Sequence, residues 1–335
     1  MDRSNATTPP EAASRRRWLH NVAAVLSVTI AAFASGAAVA QPAAQLRIGY
    51  QKSASLLVLL KSRQTLEQRL APLGLKVRWV EFPAGPQLLE GLNVGSVDLG
   101  YVGEAPPIFA QAAGADFVYV GHDPAAPQAE AILVPKDSPL RTVADLKGKK
   151  IALNKGSNVH YLLVRLLEEH GLTYRDVQPV FLAPADARAA FERGSVDAWA
   201  IWDPFLAAAE KQVDARVLAD GTGVVKNYAY YLAARRFAEQ HQEAIAVLFE
   251  ELVAQGRWLK AHPKEAAQLI APLQGLDPEV VERSLSRYSF GVVPVSPEVA
   301  AEQQRIADVF LDLKLIPRPI RIVDALPRTA TASAR

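Results

Sequence analysis

The sequence contains no cysteine. That absence removes disulfides, thiolate nucleophiles, cysteine-ligated zinc and iron–sulfur clusters in one step, and it fits an oxidising compartment. An excess of charge of one sign is missing too, the net value being +2 over 335 residues. The first forty residues hold four Arg and no Lys against Asp2 and Glu11, leaving 33 basic and 33 acidic groups in the remainder. So balanced a body argues against nucleic acid or an anionic membrane as the main partner. Catalytic signatures are also absent: there is no G-x-S-x-G elbow, no P-loop, and Gly221-Thr222-Gly223 lacks the third glycine of a dinucleotide loop. The histidines (His20, His122, His160, His170, His241, His262) show no metal-ligand pairing, so neither metal nor cofactor is expected. Past the N-terminal region no stretch is long and apolar enough to span a bilayer.

What is present begins with a leader. Ser14-Arg15-Arg16-Arg17-Trp18-Leu19 is basic, Val22 to Ala34 is apolar but short for a span, and Ala38-Val39-Ala40 supplies small residues for cleavage. Cleavage after Ala40 would release an exported, periplasmic protein. The Arg-Arg pattern is similar to a twin-arginine signal with Trp18 where Phe is usual; a Sec signal with one extra Arg reads equally well. With 50% hydrophobic residues the remaining chain can bury about two domains.

An internal echo organises that body. Gly95-Ser96-Val97-Asp98 precedes a short apolar run and then Glu104-Ala105-Pro106-Pro107; Gly194-Ser195-Val196-Asp197 precedes another and then Asp203-Pro204-Phe205. Each copy reads as helix, turn, strand, acid and helix, which predicts two similar lobes whose strand ends face one cleft. Strands are expected at Leu46–Tyr50, Lys76–Phe82, Phe117–Gly121, Ala131–Val134, Ile151–Leu153, Gln178–Leu182 and Tyr228–Ala233, alternating with helices such as Leu56–Leu70. Asp123 to Pro127 reads as a hinge, and from Arg235 onward the pattern is helical scaffold.

Three strand-to-helix junctions, Gln51–Ser55, Gly103–Pro107 and Gly156–His160, gather small hydroxyl and amide donors where helices begin. Helix N-termini offer unpaired N–H groups and the positive end of a dipole, which suits an anion. Gln51, Ser53, Ser55, Gly103, Gly156, Ser157 and Asn158 are the candidate contacts, although Ser53, Ser55, Ser157 and Asn158 would serve equally as helix caps. His160 is a further candidate, or a surface or supporting group behind the ligand contacts, and Lys155 reads as a solvated lysine that could pair with an anion. Trp199 and Trp202 point to opposite faces of an alternating strand, placing Trp202 on the cleft wall and Trp199 in the core. Tyr228 adds apolar wall with a hydroxyl. Glu104 and Asp203 face the cleft from the two lobes, and nothing beside them resembles a nucleophile.

Several runs carry a resemblance: Trp79-Val80-Glu81-Phe82-Pro83-Ala84-Gly85-Pro86, Leu92-Asn93-Val94-Gly95-Ser96-Val97-Asp98, Pro184-Ala185-Asp186-Ala187-Arg188, and Asp197-Ala198-Trp199-Ala200-Ile201-Trp202-Asp203-Pro204. Over roughly Leu46 to Ile316 the chain resembles the aliphatic sulfonate-binding receptors of ABC importers. The resemblance implies an α/β, two-lobed, hinged type II periplasmic binding protein fold with a C-terminal helical segment packed on the first lobe. Lobe I would comprise 45–126 with 227–326 and lobe II 127–226, after a removed signal at 1–40 and before a disordered tail at 327–335. It implies an aliphatic sulfonate ligand, a membrane permease with its cytoplasmic ATPase as partner, no nucleic acid, a monomer, and no enzymatic activity. Departures at Ser53-Ala54, Glu104 and Asn158-Val159-His160 leave the preferred sulfonate open between taurine-like and longer alkyl or aryl ones, and the rival ligands on the same fold are taurine, nitrate, a carboxylate, a phosphonate or a thiamine precursor. A pyrimidine-precursor synthase of this fold is the enzymatic rival, and its cysteine-rich motif is absent. Beside Glu104, a ligand ammonium is one way to offset the carboxylate.

Overall fold

The computed structural model describes residues 44–327. The leader, its cleavage site and the tail beyond Pro327 lie outside the described residues. Two five-stranded sheets form the framework. The first contains β1 (Ala44–Tyr50), β2 (Leu75–Glu81), β3 (Leu99–Gly103), β4 (Phe117–His122) and β10 (Ala229–Ala234), in the order β2-β1-β3-β10-β4. The second contains β5 (Glu130–Val134), β6 (Lys150–Leu153), β7 (Gln178–Phe181), β8 (Ala198–Trp202) and β9 (Arg216–Asp220), in the order β7-β6-β8-β5-β9. In each sheet the strand next to the end is antiparallel to both neighbours, and it is the first strand after a crossover from the other lobe. The crossovers run side by side: Asp123 N–H donates to Ala229 O, Ala126 N–H to Lys226 O, and Gly221 N–H to Pro127 O.

Helices cover both faces of each sheet. In lobe I, α1 (Ser55–Arg63) and α2 (Thr65–Leu70) lie on one face, and α3 (Gly85–Asn93) and α4 (Ala105–Ala112) on the other. In lobe II, α5 (Asn158–Glu169), α6 (Pro184–Glu192) and α7 (Phe205–Gln212) surround strands whose central member, β8, is buried along its whole length. The C-terminal segment supplies α8 (Arg235–Gln240), α9 (Gln242–Ala261), α10 (Pro263–Gln274), α11 (Pro278–Leu285) and α12 (Pro297–Asp312). Leu248, Leu252, Ile270 and Val281 of this segment join the core around Leu57 and Leu60, so it packs on the first lobe as the sequence implies. The helix expected over Leu56–Leu70 is broken, because Gln64 takes a left-handed conformation (φ 56°) that ends one helix and starts the next.

The echoed Gly-Ser-Val-Asp performs one local task twice. Gly95 and Gly194 follow a helix with φ of 72° and 67°, a region a side chain would resist. The next residue closes the turn, Ser96 N–H donating to Gly91 O and Ser195 N–H to Ala190 O. Asp98 then accepts from Arg47 N–H in the middle of β1 and Asp197 from Lys150 N–H at the start of β6, both at 2.8 Å, tying each turn to the neighbouring strand. The repeat is structural, and it sets the two acid-bearing strand ends opposite one another.

Candidate functional site

A small cavity of ≈ 50 Å³ lies between the lobes, lined at its centre by Gln51, Ser53, Gly103, Ser157, Asn158 and Trp202. These are six of the twelve residues expected from the sequence. They come from the ends of β1, β3 and β8 and from the starts of α4 and α5, so two of the three donor-rich junctions border the cavity at a helix start and the third reaches it through Gln51 and Ser53. A fourth helix start, Gly85 of α3, joins them. The wall is completed by Tyr101, Pro106, Asn227, Ala229 and Tyr288. None of these lining residues carries a formal charge.

Asn158 bridges the lobes. Its Oδ1 accepts from Ala105 N–H at 3.2 Å, and its Nδ2 donates to Asn227 Oδ1 at 2.6 Å. Asn227 in turn donates to Ala126 O at 2.8 Å and holds φ 51°, which asparagine tolerates. Gly103 has no room for a side chain: an added Cβ would sit 2.1 Å from Asn158 Oδ1. Gly103→Ala is therefore expected to cost about 1–3 kcal/mol by overpacking, read as a lower urea midpoint at unchanged slope; an unaltered midpoint would mean that Asn158 swings away freely. Ser157 Oγ donates to Asn154 O at 2.7 Å, and Gln51 Nε2 donates to Tyr101 O at 3.1 Å. Both side chains are thus oriented by backbone acceptors.

The other six candidates lie outside the cavity wall. Ser55 is buried in the first turn of α1, and neither it nor Ser53 caps that helix; the N-cap position is Ala54, with no side-chain hydrogen bond. His160 is fully buried, its Nδ1 accepting from Gly156 N–H at 3.2 Å, which leaves the proton on Nε2 to meet Tyr174 Oη at 2.8 Å. Burial, aided by Lys155, pushes its pKa down to about 4 and keeps it neutral. His160 and Gly156 thereby shape the turn ahead of α5 from behind. Tyr228 gives its backbone N–H to Glu104 Oε2 at 2.8 Å, while its ring packs on His122.

Glu104 and Asp203 differ most from the sequence expectation, since both are fully buried. Burial pushes the Glu104 carboxyl up to about 8 against the Tyr228 N–H, and Oε1 finds no hydrogen-bond partner among the described residues. Glu130, at the start of β5, is buried beside it with both oxygens unpartnered there, and burial holds its carboxyl well above the usual range. A protonated Glu104 needs no ligand ammonium to offset it. Asp203 accepts from Ala207 N–H at 3.0 Å in the first turn of α7, and Nη1 of Arg287 donates to both its carboxylate oxygens at 3.0 Å. Burial raises Asp203 to about 6 despite that guanidinium.

Arg287 and Tyr288 follow α11, in the segment read from sequence as scaffold alone. Tyr288 lines the cavity, and Arg287 reaches across to lobe II, where Arg283 also pairs with Glu210 at 2.7 Å and Lys211 with Glu279 at 3.0 Å. The helical pattern read from Arg235 onward carries no signal of this second role. Asn227 carried a signal that went unused, an asparagine beside a predicted crossover strand. Among the described residues no group of His, Asp and Glu has the arrangement of a metal site, and no helix is long and apolar enough to cross a membrane.

A family model described as NMT1/THI5 like matches residues 71–266. A protein of Escherichia coli (strain K12) described as aliphatic sulfonates-binding is 50% identical over 278 residues, covering 83% of this chain and 86% of the relative. The alkanesulfonate-binding protein SsuA from Xanthomonas axonopodis pv. citri, solved bound to MOPS, superposes with a TM-score of 0.82 at 48% identity, covering 87% of this chain and 100% of that one. The periplasmic aliphatic sulphonate binding protein SsuA from Escherichia coli gives a TM-score of 0.78 at 48% identity, with 84% and 97% covered.

Proposed function

The chain belongs to the aliphatic sulfonate-binding proteins of the NMT1/THI5-like family, and from that premise we propose that it captures an aliphatic sulfonate between its lobes and delivers it to the membrane permease of an ABC importer. The observation that carries this reading is the uncharged cavity on which helix starts from both lobes converge. A sulfonate is a strong acid with three acceptor oxygens, so it arrives ionised at any physiological pH and asks for donors from several directions. Backbone N–H groups, Gln51, Ser53 and Asn158 supply donors without a buried counter-charge to desolvate, and the Ser157 hydroxyl joins them by turning its single proton from Asn154 O to the ligand. Because donors come from both lobes, the full set exists only in the closed arrangement, and ligand shifts the hinge toward closure. The protein acts in this reading as an exported monomeric receptor in the periplasm, with no chemistry performed on the ligand.

Thermal-shift measurements test it. A short alkanesulfonate at about one hundred times its Kd should stabilise the protein by roughly 2.7 kcal/mol, while nitrate and carboxylates of equal size should do much less. Ser157→Ala should weaken sulfonate binding by about 0.5–1.5 kcal/mol, since the hydroxyl gives up Asn154 O to reach the ligand. Stabilisation by a carboxylate and by no sulfonate would replace the ligand class and keep the fold.

A further inference from the structure

The turn that brings Gln51 and Ser53 to the cavity is held from behind by a residue far along the chain. Gln51 to Ala54 closes on itself, Ala54 N–H donating to Gln51 O at 3.0 Å, and Gln51 and Ser53 line the cavity while Lys52 between them does not. Lys52 turns instead to α10. Its ammonium donates to the backbone carbonyl of Gln274, the last residue of that helix, where a cation suits both an orphan carbonyl and the negative end of the dipole. Gln274 answers with its own side chain, Nε2 donating to Lys52 O at 2.6 Å. That contact fixes which way the amide faces, because its oxygen would meet the Lys52 carbonyl as acceptor against acceptor. Gln274 is 1% exposed, and Ile270 and Ala271 of the same helix lie in the core with Leu57 and Leu60 of α1, so the amide stands on a rigid support.

The Lys52–Ser53 peptide is trans, and in a trans peptide the C=O and the N–H that follows it point in opposite directions. With Lys52 O drawn toward buried Gln274, Ser53 N–H is turned the other way, and it has no hydrogen-bond partner among the described residues. We propose that Gln274 is a positioning residue for the sulfonate: by holding the Lys52 carbonyl it aims the Ser53 N–H into the cavity, without touching the ligand itself. The proposal rests on the sulfonate reading above. Among the described residues no other donor reaches Lys52 O, so losing the Gln274 amide frees the peptide to tilt and its N–H loses its aim. The same clasp draws the Lys52 charge back toward α10, in keeping with a cavity lined by uncharged groups.

Calorimetric titration with ethanesulfonate tests this. Gln274→Met keeps the length of the side chain and the backbone carbonyl for Lys52 but has no donor. It should weaken binding about fivefold, in protein fully folded at the temperature of the titration. Gln274→Glu, ionised and so equally without a donor for Lys52 O, should do the same, and it serves should the methionine variant fold poorly. Lys52→Met removes the ammonium and leaves the bond from Gln274 to Lys52 O, so it should change affinity by no more than about twofold. The direct readout is the Ser53 amide in protein labelled with ¹⁵N-serine, assigned by its disappearance in Ser53→Ala. Its proton resonance should move strongly downfield on saturation with ethanesulfonate, and by much less in the Gln274 variants. A Ser53 amide that ignores bound ethanesulfonate, unchanged affinity in both Gln274 variants, or a loss in Lys52→Met as large as theirs would overturn the positioning role. Failure of the wild type to bind ethanesulfonate or any longer alkanesulfonate would refute the sulfonate reading instead.

Discussion

Arg287→Met should destabilise the protein by about 3–5 kcal/mol. Its guanidinium holds Asp203, whose side chain is 0% exposed, and also Glu210, whose side chain is 14% exposed. Removing the cation leaves a buried carboxylate with only the Ala207 N–H to satisfy it. Breaking a buried pair from one side costs about 3–5 kcal/mol, because the surviving charge keeps its desolvation penalty and loses its compensation. In a protein of this size that corresponds to a fall in Tm on the order of 10 °C. Asp203→Asn on the Arg287→Met background should recover part of the loss, since the orphaned charge is then gone. A melting temperature unchanged in the single variant would show that Asp203 is already protonated or reached by water. Because the pair joins the segment after α11 in lobe I to the turn before α7 in lobe II, the same variant should also loosen closure, visible as weaker sulfonate binding in protein that remains folded.

Stability should fall as pH rises from about 5 to above 8, and Glu104 should account for much of the change. The sign follows from proton counting. The folded-state value of about 8 lies above the ordinary 4.5, so between these pH values the folded protein holds a proton that the unfolded chain releases. The contribution is complete below 4.5 and is lost as pH climbs through 8. Each unit of displacement is worth about 1.4 kcal/mol, so the effect is on the order of several kcal/mol. Asp123, raised to about 7 by burial against the hydrogen bond from Tyr101, and Glu130 act in the same direction. Glu104→Gln keeps the shape and the acceptor for Tyr228 N–H but cannot ionise. Its denaturation midpoint should therefore overtake that of the wild type at pH 8.5 and lie close to it at pH 5. Identical pH profiles for the two proteins would mean that Glu104 is ionised and solvated after all.

How much of this was written in the sequence depends on the range over which each signal acts. The alternating strands, the hinge near Asp123 and the helix starts rest on neighbours in the chain, and they appear where periodicity and glycine placed them. So does the opposition of Trp199 and Trp202: the first packs on Phe191 in the core and the second lines the cavity. Half of the candidate site was legible for the same reason, since a donor at a helix start is a local property. The misses are long-range. Whether Glu104 and Asp203 look into the cleft or away from it depends on Tyr228 and Arg287, which lie 124 and 84 residues further along. Tyr288 lies just beyond α11, in a segment whose helical pattern predicts only packing. His160 read equally as a ligand contact or as a group standing behind one, and its partner Tyr174, fourteen residues further along, is what shows it bracing the turn.

The order of strands in the first sheet has a consequence for how the chain is made. Every strand of the second sheet lies in one unbroken run of sequence, between Glu130 and Asp220. The first sheet is interrupted, for among the described strands β4 pairs with β10 alone, apart from a single bridge from His122 to Val293, and both partners are synthesised after all of lobe II. During vectorial emergence from a ribosome or a secretion pore, lobe II can complete itself while lobe I waits with β3 and β4 each presenting an open edge to the surroundings. Such edges invite the wrong partners. The second crossover, from Gly221 to Tyr228, thus does more than join two lobes. It delivers the strand that seals the first one, and it makes the earliest-made part of the molecule the last to finish folding.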